Sequence, residues 1–187
     1  IYTTDPRIAP NAKRIDRISF SEASDMAAYG AKVLHPATLL PAMRKNIPVF
    51  VGSSKNTAAG GTLVSSTTEN PPRYRAVAVR RKQTLLRLHS LDAQPSCHFL
   101  AQMFALLARH SVAADLVTTS ENSIALALDS THATSGEDHT LTTSLFTELS
   151  SHCRVEVETG LALVTLVGNQ LTQVSGVFKD VFAWLET

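Results

Sequence analysis

Apolar and polar residues follow two different periods within residues 84–128, the stretch around which the rest of the chain is organised. Alternation with a period of two predicts strands at 83–89 and on both sides of the polar turn 118–122. Between them, one apolar stripe recurs at helical spacing: Phe99, Leu100, Met103, Phe104 and Leu107. The stretch is therefore predicted to form a strand, a helix, and two further strands joined by a tight turn.

The same patterns continue towards the end of the chain. A second helix is predicted around Leu145, followed by strands at 154–158 and 161–167, the latter almost wholly apolar and expected at the centre of a sheet. Residues 83–158 then have the order βαββαβ, which is the ferredoxin-like motif with two helices on one face of a four-stranded antiparallel sheet. A second copy is expected to begin at Leu161, with a last helix that carries Trp184 in a core.

The first third of the chain predicts a different domain. Ser19 and Glu22 form the capping-box pattern at the start of a helix over 20–29, and Pro36 is a suitable first residue for a second helix. Short strands are predicted at 47–51 and 62–65. Pro71 and Pro72 interrupt any regular element, so a domain boundary is expected at 67–73.

Composition excludes several classes of function. The 187 residues are 44% hydrophobic and carry a net charge of +1, which gives no reason to expect nucleic acid or an acidic membrane as a partner. No apolar run approaches the ~20 residues that span a bilayer. Cys97 and Cys153 are far apart and predict free thiols in a reducing compartment, and the scattered His residues predict no metal cluster. Both ends of the chain look cut, so a fragment is expected.

One candidate site takes a free amino acid. Amides at the helix start near Ser96 and His98 suit a carboxylate, and Asp115 suits an ammonium group. Ser120 and Glu121 add polar atoms at the strand turn. The alternative is that Ser96 only caps the helix and Asp115 is an exposed charge at a strand end, and spacing alone favours this alternative.

A second candidate site takes phosphate. Arg7, Lys13, Arg14 and Lys32 are basic groups within a short span, and Tyr2 can stack on a base. The alternative is that these are surface charges and a loop aromatic. Neither a Walker loop nor a G-x-G-x-x-G pattern is present, so spacing gives a weak signal.

Longer motifs give a stronger signal. YTTDPR (2–7), KRID (13–16), YGAKVLHPATLLPA (29–42), IPVFVGSS (47–54) and GGTLV (60–64) closely resemble aspartate kinase. LLRLHSL, FLAQMFALLARH and DLVTTSENSIALALD resemble the regulatory ACT domain of its lysine-sensitive class. The resemblance covers essentially the whole chain, in the right order.

The resemblance implies a cytoplasmic enzyme that uses ATP, with Mg²⁺, to phosphorylate the side-chain carboxylate of L-aspartate, the first step towards lysine, threonine and methionine. It implies the end of an amino-acid-kinase α/β domain at 1–66, a linker and first strand at 67–82, one ACT domain at 83–158 and the start of another at 159–187. Tyr2, Arg7, Lys32 and Val33 would contact the nucleotide. The family's K-x-G-G loop and aspartate-binding residues would precede Ile1, so the chain alone is expected to have no catalytic residue and no activity.

The resemblance also implies an amino-acid effector, lysine in this class, bound between the ACT domains of a homodimer. The positions concerned are Ser96, His98, Phe99, Leu100, Ala114, Asp115, Thr119, Ser120 and Glu121. Four residues depart from the family pattern, namely Ala93, His98, Ala113 and Ala127, which leaves the identity of the effector open. A stand-alone amino-acid-binding module without a catalytic role is the alternative.

Overall fold

A computed structural model describes residues 1–31, 36–91, 96–129 and 141–186 of the chain, in two units. Unit one comprises Ile1–Val79 and Val164–Thr187, and unit two comprises Arg80–Leu163. The elements are, in chain order, β1 (Arg17–Ser19), α1 (Phe20–Ala28), α2 (Pro36–Lys45), β2 (Val49–Gly52), a 3₁₀ turn (Thr57–Ala59), β3 (Gly61–Ser65), β4 (Tyr74–Ser90), α3 (Ser96–Arg109), β5 (Leu116–Thr119), β6 (Ser123–Asp129), α4 (Thr143–Ser150), β7 (Cys153–Gly168) and α5 (Val177–Leu185). The chain enters unit two along β4 and leaves it along β7.

Unit one is built around helix α1 and a three-stranded sheet. The predicted capping box is present: the Glu22 N–H donates to Ser19 Oγ at 3.1 Å, and the Ser19 N–H donates to Glu22 Oε2 at 2.8 Å. Strand β3 lies between β1, to which it is parallel, and β2, to which it is antiparallel. Buried side chains from these elements, including Ile18, Met26 and Val64, form the core. Strand β1 was not predicted, because three residues are too few to show a period.

Unit two has the predicted βαββαβ order. Its sheet has the strand order β5-β6-β4-β7, and β6 is antiparallel to both β4 and β5. Helices α3 and α4 cover one face of this sheet, and Phe99, Met103 and Leu107 of the predicted α3 stripe are buried with the inward residues of β4 and β6. Leu100 of the same stripe is half-buried and Phe104 is 38% exposed, so the buried face is narrower than predicted. The predicted ferredoxin-like order of elements is confirmed.

Strands β4 and β7 are each continuous where the sequence predicts two strands. Lys82 has a φ of 60° and Gly160 a φ of 74°, so a left-handed residue stands at each predicted break. Such a residue bends a strand locally without ending its ladder. The sequence predicts residues 161–167 at the centre of a sheet, but strand β7, which contains them, is an edge strand. It pairs with β4 on one side, and no strand of the described residues pairs with it on the other. Accordingly, Val164 is 51% exposed.

The last helix, α5, does not bury Trp184 in a core as predicted. Trp184 remains 54% exposed and Phe178 80% exposed. The indole ring of Trp184 meets the Tyr74 ring edge-on, with ring centroids 5.3 Å apart. None of the helices in the described ranges is long and apolar enough to cross a membrane.

The two cysteines differ in burial. Cys97 is exposed, whereas Cys153 is buried and its Sγ donates to the Leu149 carbonyl at 3.3 Å. Burial raises the pKa of the Cys153 thiol to about 11. We expect a thiol reagent at neutral pH to modify Cys97 rapidly and Cys153 only after unfolding, since the thiolate is the reactive species. Titration with a chromogenic disulfide, with and without denaturant, measures this difference, and rapid labelling of both thiols in the folded protein contradicts it.

Candidate functional site

The predicted nucleotide segment, residues 2–7, lies at the start of a loop in unit one that is closed by backbone pairing. Tyr2 pairs with Arg14 in an isolated antiparallel bridge. The Thr3 N–H donates to the Lys13 carbonyl at 2.9 Å, and the Lys13 N–H donates to Thr3 Oγ1 at 3.1 Å. The Tyr2 side chain is 44% exposed, so its ring is available to stack on a planar base.

Arg7 is held in a fixed orientation by Asp5. Its Nε donates to Asp5 Oδ1 at 3.0 Å and its Nη2 to Oδ2 at 2.7 Å, while its backbone N–H donates to Oδ1 at 2.9 Å. These side-chain and backbone hydrogen bonds lower the pKa of the Asp5 carboxyl to about 2. The two-point contact fixes the plane of the guanidinium and leaves Nη1 for a second anion, and the side chain is 82% exposed.

The two other predicted nucleotide residues, Lys32 and Val33, lie outside the described residues. Lys13 and Arg14, which the sequence places among its basic candidates, instead line a hollow of about 470 Å³ in unit one. Arg17 and Arg75 add two more cations to its wall, and Asp16 and Glu69 add two carboxylates. Arg14 is paired with Asp16 at 2.9 Å, so the hollow is only moderately basic. Tyr2 and Arg7 do not line it.

In unit two, the first group of predicted effector residues lies on α3. Ser96 is the first residue of this helix. His98 is exposed and Leu100 is half-buried, whereas Phe99 is only 5% exposed and packs in the hydrophobic core. In this group, His98 is therefore accessible to a ligand, whereas Phe99 is a core residue that holds this end of α3 in place.

The second group of predicted effector residues lies around β5. The Asp115 carboxylate is already ion-paired with Arg80, and the Asp115 N–H donates to the Ala127 carbonyl at 2.9 Å. An incoming ammonium group would have to share this carboxylate with Arg80 or displace it. Ala114, just before it, is half-buried.

The remaining predicted effector residues, Thr119, Ser120 and Glu121, are exposed at the opposite end of β5. The Ser120 hydroxyl is 2.6 Å from the Ser123 hydroxyl across the turn. Ser120 follows Asp115 by five residue steps along an extended strand, a separation of roughly 16 Å. One chain therefore does not bring these groups together into a single small pocket.

The structure also contains a buried polar cluster that the sequence does not reveal. Glu22 is 3% exposed, and its Oε1 accepts hydrogen bonds from Arg75 Nε and Asn169 Nδ2, both at 2.7 Å. Burial opposes ionisation of this carboxyl, but the hydrogen bonds from Arg75, the Ser19 N–H and Asn169 outweigh it and keep the pKa of Glu22 below its ordinary value. The capping box predicts only the bond to Ser19, because Arg75 and Asn169 are 53 and 147 residues away.

The chain is similar to known proteins in both sequence and fold. Residues 1–53 match the model of the amino acid kinase family. Over 186 residues the chain is 63% identical to lysine-sensitive aspartokinase 3 of Escherichia coli (strain K12), a match that covers 100% of the chain and 41% of that relative. The chain therefore spans about two fifths of that relative's length.

Two solved structures resemble the whole chain. One is E. coli aspartokinase III in complex with aspartate and ADP in the R-state, with a TM-score of 0.91, 63% identity and coverage of 100% of this chain and 42% of that chain. The other is the same enzyme in complex with lysine and aspartate in the T-state, with a TM-score of 0.83, 62% identity and coverage of 100% and 41%. Since sequence and fold agree along its entire length, the chain belongs to the aspartokinase family.

Proposed function

We propose that this chain is the C-terminal part of an aspartate kinase that transfers the γ-phosphoryl group of ATP to the side-chain carboxylate of L-aspartate. The observation that carries the proposal is the 63% identity along the whole chain to an aspartokinase whose complex with aspartate and ADP has a closely similar fold. We place the enzyme in the cytoplasm, in keeping with its two free cysteines.

Phosphoryl transfer depends on positioning and charge stabilisation more than on covalent chemistry by the protein. In this proposal the Tyr2 ring packs on the base, and Arg7 offers its free Nη1 to the phosphates, with Lys32 and Val33 completing the contact. Within the described ranges no three His, Cys, Asp or Glu side chains come together as a metal site. We therefore assign no Mg²⁺ ligand to these residues, and propose that Mg²⁺ enters on the phosphates of ATP.

The direct test is an assay of ADP release by the full-length protein with ATP, Mg²⁺ and L-aspartate. We expect turnover that requires aspartate, and no turnover by residues 1–187 alone, because these residues span only 41% of the length of the aspartokinase they match. A full-length protein that binds an amino acid but has no kinase activity would instead support the alternative, a non-catalytic ACT module.

Arg7→Ala in the full-length enzyme is expected to raise the KM for ATP about tenfold, the effect of losing one charge-assisted contact to phosphate. The KM for aspartate should stay unchanged. Arg44→Ala is the matched control, since Arg44 is an exposed arginine in the last turn of α2. Initial rates over a range of ATP concentrations measure both constants, and equal effects of the two substitutions would remove Arg7 from the nucleotide site.

We further propose that the enzyme is regulated by an amino acid, with lysine as the first candidate, between the unit-two domains of a homodimer. Strand β5 supports this assembly, because it is an edge strand with Leu116 and Val117 each 40% exposed. An exposed apolar edge is a template for pairing with another chain. A second copy would also supply the groups that Asp115 and Ser120 of one chain cannot gather in one place.

Asp115→Asn is expected to weaken binding of lysine by about tenfold or more, since a hydrogen bond between charged groups contributes roughly 1.5–3 kcal/mol. Asp16→Asn is the matched control, because Asp16 is also paired with an arginine but lies in unit one. Calorimetric titration of the full-length protein with lysine, threonine and methionine makes the comparison. If none of the three binds at millimolar concentration, the effector proposal fails.

A further inference from the structure

Glu22 connects three separate segments of unit one through a single buried carboxylate. Its Oε2 accepts from the Ser19 N–H, and its Oε1 accepts from Arg75 and Asn169. Helix α1, which carries Glu22, is anchored by the buried side chains of Phe20, Ala23 and Met26. The carboxylate is therefore a fixed point to which the other two segments are tied.

Those two segments are the chain's connections to unit two. Arg75 is the second residue of β4, which enters unit two at Arg80, and Asn169 directly follows β7, which leaves unit two at Leu163. The segments also bond to each other: the Asn169 N–H donates to the Arg73 carbonyl and its Nδ2 to the Pro72 carbonyl, both at 2.9 Å.

The two backbones are in direct contact beside this point. A Cβ added to Gly168 would lie 2.1 Å from the Arg73 carbonyl oxygen, so a side chain at this position would force the strands apart. We call Glu22, Arg75 and Asn169 the carboxylate clamp. It holds the start of β4 and the end of β7 in one register against α1.

The nucleotide segment is attached to the same strand. The Val77 N–H, two residues after Arg75 in β4, donates to the Thr3 carbonyl at 2.8 Å. Thr3 is next to Tyr2 and in the same loop as Arg7. A shift of β4 along α1 therefore either carries Thr3 with it or breaks this hydrogen bond.

Electrostatics makes the clamp resistant to small shifts. The Glu22 side chain is 4% exposed and the Arg75 side chain 11% exposed, with Nε and Oε1 2.7 Å apart. A buried charge is strongly destabilised when a partner moves out of hydrogen-bond range. The clamp therefore favours one register of β4 instead of a continuous range of positions.

We propose that Glu22, held by Arg75 and Asn169, is a positioning residue for nucleotide binding, and that displacements of β4 and β7 reach Tyr2 and Arg7 through it. The proposal rests on the proposed function, because it takes Tyr2 and Arg7 as nucleotide contacts. It goes beyond that function by giving a role to three residues that touch neither nucleotide nor effector in it.

The test uses Glu22→Gln and Asn169→Ala in the full-length protein. Glu22→Gln keeps the size of the side chain but replaces one accepting oxygen with an NH₂ group, which faces hydrogen-bond donors. Asn169→Ala removes only one of the donors to Glu22. Glu158→Gln is the matched control, because Glu158 is paired with an arginine in an exposed position of unit two. Thermal melts of all three variants establish that each is folded before binding is measured.

We expect both clamp variants to raise the KM for ATP and the Kd for ADP about tenfold, the scale of coupling between two sites in one protein. The kcat and the KM for aspartate should stay within about twofold of wild type, a split that general destabilisation does not produce. The control should change none of these constants.

Two outcomes separate this inference from the proposed function. If the wild-type protein binds ADP but does not phosphorylate aspartate, the proposed function fails, and weaker ADP binding by both variants still supports the clamp. If folded Glu22→Gln and Asn169→Ala bind ADP as wild type does, the clamp is overturned whether or not the protein is an aspartate kinase.

Discussion

Arg75→Ala is expected to lower the free energy of unfolding of unit one by about 3–5 kcal/mol, the usual cost of removing one partner of a buried ion pair. The substitution leaves the Glu22 carboxylate, 4% exposed, without its guanidinium. The single Trp184 lies against Tyr74, next to Arg75 in sequence. Its fluorescence during urea unfolding of the 187-residue chain therefore reports on the unit that carries the change.

The control is Arg87→Ala, which removes an arginine from an exposed pair with Glu158 in unit two. Exposed pairs contribute about 0–1 kcal/mol, so the midpoint of the Trp184 transition should hardly change. Similar losses from the two substitutions would mean that the Glu22–Arg75 pair is as well solvated as a surface pair, which contradicts its burial.

Arg75→Ala also predicts a pH dependence of stability with a definite sign. The pKa of Glu22 lies below its ordinary value of 4.5 in the folded protein, where hydrogen bonds from Arg75, Ser19 and Asn169 outweigh burial. A group with a lowered folded pKa contributes stability above its unfolded pKa and loses it as pH falls through the folded value. The difference between wild type and Arg75→Ala should therefore shrink as pH falls below 4.5. A difference that grows on acidification contradicts this assignment.

Met103→Ala is expected to destabilise unit two by about 2–5 kcal/mol, through lost apolar burial and the cavity left behind. Met103 is 0% exposed and belongs to a core formed with Leu86, Leu126 and Leu145, which come from β4, β6 and α4. Urea unfolding followed by far-ultraviolet circular dichroism measures the loss.

Phe104→Ala is the matched control for this position. Phe104 is the next residue of α3, and it is 38% exposed. Beyond the effect of the lost apolar area, its truncation should lower the free energy of unfolding by less than about 1 kcal/mol, because a partly exposed site leaves no closed cavity. An equal or larger loss from Phe104→Ala than from Met103→Ala would mean that α3 turns its other face to the sheet.

Much of unit two follows from the sequence alone, because its signals are local. The apolar stripe of α3 and the alternation in β4 and β6 are repeated every few residues, and burial of one face is what gives such a pattern its stability. The Ser19–Glu22 capping box is equally local. The motifs that resemble aspartate kinase, including YTTDPR and YGAKVLHP, likewise need no structure to be recognised.

Several features of the candidate sites depend on partners far away in the chain. The sequence predicts Asp115 as a free ligand for an ammonium group, but the carboxylate is paired with Arg80, 35 residues before it. It predicts Trp184 in a core, but the ring is 54% exposed. An apolar residue at a helical spacing shows that a face exists, and only the packing of other elements decides whether that face is covered.

The amino-acid sequence by itself determined the βαββαβ order, the helix starts and the family to which the chain belongs. The tertiary structure alone decided that β4 and β7 are continuous strands and that Glu22 joins three segments. The physical reason is the range of the interactions. Periodicity and capping act over a few residues, whereas the carboxylate of Glu22 is satisfied by groups 53 and 147 residues away, which only the completed fold brings within 2.7 Å.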